Sequence, residues 1–298
     1  MKKLIVMLWF ICFLSGFVFS QEKTKFNMSL YASTEGEVQL NLSPYWKFPF
    51  LMGESPLTGD NNVTLKLNVG LSPISADLAA DTVFTVLPFL AFTFGAMTGI
   101  GWNYDLFGNQ LIGLGINSKT NADDPNDGVI GKGLDGVVWN IHAGTTVKFD
   151  FTAIFPGDWN HFLLRVNNEA QYFAYTKAKG DDLWYYLNDD GMNQNSFRYK
   201  FDCFIGYAMP IFADLAGFQF SGSLPFFSIE TGGSVRDIGY TLNAAFLANF
   251  KIGKYFSILT LVRFTNGLKA PITSVYERKW GFDRVLFIAT WYLRKGKV

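Results

Sequence analysis

From Ile238 to Ile252 the chain alternates without a break. Ile238, Tyr240, Leu242, Ala244, Phe246, Ala248, Phe250 and Ile252 take the even positions. Gly239, Thr241, Asn243, Ala245, Leu247, Asn249 and Lys251 take the odd ones. A period of two over fifteen residues means a strand with one apolar and one mostly polar face. Soluble strands usually run about 5–6 residues. A tilted strand crossing a bilayer needs about 9–11, so this one is long enough to cross and continue. Val63, Leu65, Leu67, Val69 and Leu71 repeat the rule around polar Thr64, Lys66 and Asn68.

Residues 1–20 read as a secretory signal peptide. Lys2 and Lys3 form its charged start, Leu4 to Leu14 its apolar stretch, and Val18-Phe19-Ser20 its cleavage region. An uncleaved anchor helix is the alternative. Cys12 lies inside the apolar run after Ile11, which argues against a lipoprotein. The mature chain, 21–298, is then one domain. Losing Lys2 and Lys3 takes the 25 basic residues to 23 against 25 acidic ones, too balanced to recruit nucleic acid. Only Cys203 remains, so no intramolecular disulfide framework is available. Aromatic residues make up 17% of the chain and charged residues only 17%, below the roughly 25% of soluble domains. That much apolar surface needs a large core or lipid, and the alternation favours lipid.

The pattern predicts about ten strands, at 26–43, 62–73, 82–97, 137–154, 162–175, 196–208, 216–228, 237–252, 255–265 and 283–294. Connections after odd strands are mostly long: 44–61, 98–136, 176–195, 229–236 and 266–282. Those after even strands are shorter: 74–81, 155–161, 209–215 and 253–254. Transmembrane barrels have short periplasmic turns and longer external loops, and an even strand count puts both termini in the periplasm. Trp46, Trp102, Trp139, Trp159, Trp184, Trp280 and Trp291 fall near strand ends or in connections, where indole prefers the membrane interface.

Two segments resist this scheme. Residues 82–102 carry no charge and are apolar on both faces, so a membrane helix competes there. Thr82, Thr85, Thr93, Gly95 and the β-branched and aromatic content favour a strand, with Pro88 at a bulge. The segment 26–43 is readable as a hairpin turning at Ser33-Thr34-Glu35-Gly36, and 110–117 as an additional strand. Twelve strands is therefore the structural alternative. A secreted β-sandwich is the runner-up fold class.

Candidate chemistry is sparse. Lys66, Lys148, Asp150, Arg165, Glu169, Arg198, Lys200, Asp202, Lys251 and Arg263 all have inward parity. Lys148, Asp150, Arg165, Glu169, Arg198, Lys200 and Asp202 crowd together if neighbouring strands pair in sequence order. They form either a charged constriction that selects small ions or polar solutes, or a salt-bridge network filling a narrow barrel. Leu87, Phe89 and Ala91 would form an apolar inner patch. His142 faces inward beside Asn140 and Gly144. The segment 121–128 is acidic but lacks EF-hand spacing, and no metal or cofactor is expected. Asp181 to Tyr186 joins acid to aromatics in a loop, suited either to a surface partner or to covering the mouth.

On these features the whole mature chain resembles, in architecture, Gram-negative or spirochaete-type outer-membrane β-barrel proteins. The outer-membrane phospholipases carry a His-x-Ser pair on one strand, and here His142 is followed by Gly144. Omptin-type proteases carry Asp-x-His, and here Asn140 precedes His142. An enzyme is therefore the last expectation. The resemblance implies an all-β, closed antiparallel transmembrane barrel, monomeric, in contact with outer-membrane lipid. The leading functional expectation is a narrow passage for small polar solutes or ions, plugged by loop 99–136. The alternatives are a non-conducting barrel presenting its loops to an external partner, and a path for lipid or other hydrophobic compounds.

Overall fold

In the computed structural model the chain forms a closed barrel of twelve antiparallel strands, each paired with its neighbours in sequence and the last with the first. The structure describes residues 24–55, 57–106, 109–117, 129–130, 134, 136–187, 192–231, 234–237, 240–266 and 280–293. The signal-peptide expectation for 1–20 and the acidic segment 121–128 lie outside them. The wall runs β1 Thr24–Ser33, β2 Val38–Pro49, β3 Asn62–Ser72, β4 Ser75–Leu87, β5 Leu90–Gly101 and β6 Val138–Asp150. It continues through β7 Phe162–Tyr175, β8 Ser196–Ala208, β9 Ala213–Pro225, β10 Thr241–Ile252, β11 Phe256–Thr265 and β12 Gly281–Leu293.

Both resistant segments are hairpins, which turns ten strands into twelve. The segment 26–43 folds back at 34–37, where Gly36 adopts φ +83° and its N–H donates to Ser33 O at 3.1 Å. Glycine carries that left-handed conformation without steric cost. The uncharged run folds back at 88–89, with a bulge between Thr85 and Leu87. Pro88 thus sits in a turn, not in a ladder that its missing N–H would break. The run is apolar over a helix-like length because two lipid-facing strands follow each other directly. Residues 74–81, expected as a connection, are mostly β4. The segment 110–117 supplies short strands outside the wall, Asn109–Ile112 and Leu114–Asn117.

Which face is inner follows from exposure. On β6, Ile141 is 55% exposed and its neighbour Asn140 only 8%. Phe94, Phe197, Phe218, Phe246 and Phe287 lie on the same outer surface and are exposed. Edge-to-face pairs such as Phe84–Phe94, Phe218–Phe246 and Phe264–Phe282 knit neighbouring strands there. In water this surface would be a large liability; in hydrocarbon it is the required one. A closed ladder leaves no unpaired edge, which is what lets β-structure span a bilayer. All seven tryptophans named above lie at strand ends or in connections. Trp184 departs from the interface expectation in being fully buried.

The connections divide by end. Beside the termini lie 50–61, 88–89, 151–161, 209–212 and 253–255. At the opposite, far end lie 34–37, 73–74, 102–137, 176–195, 226–240 and 266–280. From residue 102 onward the expected rhythm holds, and before it there are two corrections. The hairpin within 26–43 moves 50–61, expected among the external loops, to the terminal end, and moves the turn at 73–74, expected among the short periplasmic ones, to the far end.

Candidate functional site: the barrel interior

The interior divides into three zones. At the far end, Leu114–Asn117 and Leu183–Tyr186 pair with each other and pack onto the inner wall. Leu114, Val138, Phe173, Tyr175, Trp184 and Tyr186 form one buried cluster. The Trp184 ring centroid lies 4.9 Å from that of Phe173 and 5.7 Å from that of Tyr175. Gly99 makes room for this plug, since a Cβ there would meet Tyr186 Oη at 2.7 Å. Burial, with Asp77 nearby, pushes the Tyr186 hydroxyl well above its usual pKa. Trp184, Tyr185 and Tyr186 are therefore buried in the mouth and do not present themselves to an outside partner. Between the plug and the low rim formed by 34–37 and 73–74 lies a pocket of about 180 Å³, lined by Tyr31, Glu37, Gln39, Ile74, Leu111 and Leu187.

The middle zone has unlike halves. On β8 to β12, the inward residues Phe204, Ala245, Leu247, Leu261 and Leu286 are buried against one another, with Tyr31, Leu163, Leu215, Leu259 and Ile288 around them. The other half is polar. Ser43 donates to Asn68 at 2.7 Å, Thr146 to Asn167 at 2.8 Å, and Gln39 to Asp77 at 3.1 Å. His142 Nε2 lies 2.9 Å from Asp81 Oδ1, and its Nδ1 lies 3.0 Å from Asn140 Oδ1. Asp81 and His142 belong to β4 and β6, and they meet across β5 because Gly95 stands between them. A Cβ at Gly95 would lie 2.1 Å from Asp81 Oδ1 and 2.5 Å from His142 Nε2.

The seven charged candidates all lie on β6, β7 and β8, which are neighbours as expected, but they do not form one ring. Arg165 Nη2 bridges to Asp202 Oδ1 at 2.9 Å, and Gln219 donates to the other oxygen of Asp202. Glu169 stands opposite Lys200 in the ladder. Arg198 reaches toward the plug, its guanidinium 4.5 Å from the Phe173 centroid and Nη2 3.2 Å from Asn193 Oδ1. Asp150 caps the short turn after β6, accepting from Thr152 N at 3.0 Å and lying 2.8 Å from His161 Nδ1. Lys148 is exposed at the terminal end.

The apolar patch is not assembled. Leu87 stands opposite Leu90 after the bulge, Phe89 lies in the turn, and Ala91 alone continues the inner face opposite Thr146. The apolar inner wall instead comes from Leu247, Leu261 and Leu286 and their neighbours.

The third zone is the terminal end. Lys25, Lys47, Lys66, Lys148, Arg165 and Lys251 lie on inner-face positions toward that end and are exposed. Parity does not nominate Lys25, which precedes the expected strand 26–43, or Lys47, which falls in the expected loop 44–61. At the far rim a compact network is balanced within itself. Arg284 bridges Glu37 and Asp283, Arg263 joins Asp283, and Glu37 also accepts from Tyr31 Oη at 3.1 Å and Ser33 Oγ at 3.0 Å. Partial burial opposes ionisation of Glu37. The Arg284 guanidinium and these hydroxyls outweigh it and hold the carboxyl below its usual pKa.

No protein-family model and no curated protein matches the chain. Among solved structures, its course is similar to that of a NanC porin, at 5% identity and TM-score 0.41, over 90% of this chain and 98% of that one. CdiB from Acinetobacter baumannii is similar at 11% identity and TM-score 0.39, over 92% of this chain and 60% of that one. OmpT, an outer membrane protein of Vibrio cholerae, is similar at 7% identity and TM-score 0.36, over 91% of this chain and 96% of that one. The class follows from the molecule's own closed wall and apolar outer surface. It is an integral membrane β-barrel of the outer-membrane kind.

Proposed function

We propose that this barrel is a narrow passage for small polar solutes and ions, with both termini in the periplasm and the plugged mouth outside. The observation that carries the reading is that loop strands, not wall strands, fill part of the far mouth and pack against β6 and β7. Behind that plug the lumen has a polar half and an exposed basic end. A plug made from connections can yield while the wall's hydrogen bonds stay intact. The inner charges then face whatever passes.

Planar-bilayer recording of the purified full chain tests this. The expected result is small, discrete conductance steps whose ion selectivity shifts when Lys148 and Arg165 are neutralised. Persistent silence from correctly folded barrel would reject it. A second reading, a path for hydrophobic compounds, is supported by the apolar half of the inner wall around Leu247, Leu261 and Leu286. Lipid co-purifying with wild type but not with Leu261→Asn would favour that reading.

A further inference from the structure

We infer that the terminal end of the lumen holds a binding site for a small multivalent oxyanion, a free phosphate ester or polycarboxylate, built by Lys25, Lys47 and Lys66 around Tyr45. This goes beyond passage, because binding there requires no conduction.

The ladder places the four residues together. Lys25 on β1 and Lys66 on β3 stand directly opposite Tyr45 on β2, one on each side. Lys47 follows Tyr45 by two residues and shares its face. Directly opposed residues in an antiparallel sheet lie about 4.5–5.5 Å apart at Cα. Three ammonium groups on flexible stems can therefore converge over one phenol. The three lysines are exposed while Tyr45 is half-buried, so the charges stand free above a fixed floor.

None of the three is in an ion pair among the described residues. Among the described residues, the carboxylate best placed to neutralise them is Asp81, directly opposite Lys66 on β4. It is turned away to His142 at 2.9 Å, across the gap left by Gly95. Glu54 and Asp60, in the adjoining connection, form no ion pair with them either. Like charges gathered on one sheet face destabilise it, so the cluster is sustained at a stability cost that an anion would relieve.

Two independent features strengthen the inference. Across the barrel, Lys148 stands directly opposite Arg165, a second like-charge pair at the same end, and only Arg165 has an acidic partner. The Tyr45 hydroxyl makes no hydrogen bond among the described residues and is available as a donor to an oxyanion. Because all four side chains share the inner face, the ligand comes from the lumen solution. A lipid headgroup would meet the outer face. Low-dielectric walls concentrate the field of such a cluster.

The test uses the full chain in zwitterionic detergent, with methoxypyrene trisulfonate as a fluorescent probe and inorganic pyrophosphate as competitor. The expected result is saturable binding that weakens with added salt and is displaced by pyrophosphate. Lys25→Gln/Lys47→Gln/Lys66→Gln should weaken it more than tenfold, and Tyr45→Phe a few-fold. Lys179→Gln at the opposite mouth should change nothing. If the triple variant loses the heat-modifiable mobility of a folded barrel, the three single variants replace it, each expected to weaken binding at least twofold. Absence of saturable binding, or equal affinity in folded variants, overturns the inference. Displacement by anionic lipid micelles but not by pyrophosphate overturns the free-solute assignment. Probe binding by a barrel silent in bilayers would keep the site and reject passage. Conduction without probe binding would do the reverse.

Discussion

At the scale of single residues, two contacts set the interior. The Asp81–His142 contact exists because Gly95 has no side chain. Gly95→Ala should force the pair apart and cost about 1–3 kcal/mol, measured as a lower urea midpoint in detergent. By releasing Asp81 toward Lys66, the same change should also weaken anion binding at Tyr45. Glu37 sets the response to acid. Its folded-state pKa is held below the ordinary glutamate value, so its contribution is fully present above that ordinary value. The contribution is lost as pH falls through the lower, folded value. Glu37→Gln should therefore lower stability by about 1 kcal/mol at neutral pH. The gap from wild type should close as pH falls below the ordinary glutamate range, read as the unfolding temperature at each pH. The inward charges from Lys148 to Asp202 were legible from parity alone, because one misplaced residue would send a whole charged face into lipid. Their partners were not legible. Arg198 turning to Asn193, and Asp150 to His161, depend on loop residues whose position no periodicity encodes.

At the scale of elements, the strands with one apolar and one polar face were readable from their alternation, and their ends fall within a few residues of those expected. The β1–β2 hairpin was readable only as an alternative and the β4–β5 hairpin not at all, for opposite reasons. In β1–β2 the alternation carries on through a turn marked only by Thr34-Glu35-Gly36. In β4–β5 the polar face vanishes, because Thr85, Ala91, Thr93, Gly95 and Met97 line the lumen there without charge. The apolar inner wall escaped for the same cause. Leu247 and Ala245 sit on the nominally polar face of β10, and Leu259, Leu261, Leu286 and Ile288 make both faces of β11 and β12 apolar. The plug element is testable on its own. Trp184→Ala removes the largest fully buried side chain among the described residues and should cost about 3–5 kcal/mol of local packing. The wall's hydrogen bonds do not involve Trp184, so the effect belongs to the plug. Hydrogen exchange should rise at 114–117 and 183–186 while the amides of β6 to β8 stay protected.

At the scale of the whole molecule, closure and polarity act together. The outer face supplies the apolar surface that lipid requires, and the inner face is free to vary from leucine on β10–β12 to lysine and histidine on β1–β7. The barrel is also polarised along its axis, with exposed lysines at the terminal end and buried aromatics at the far mouth. The central claim is that the two loop strands packed into this mouth are what restricts passage through it. Single-channel conductance of Leu114→Ala/Trp184→Ala against wild type, at equal amounts of folded barrel, tests it most directly. The account predicts that the double variant opens to larger and longer-lived steps than wild type. Unchanged conductance, or silence in both, would contradict it.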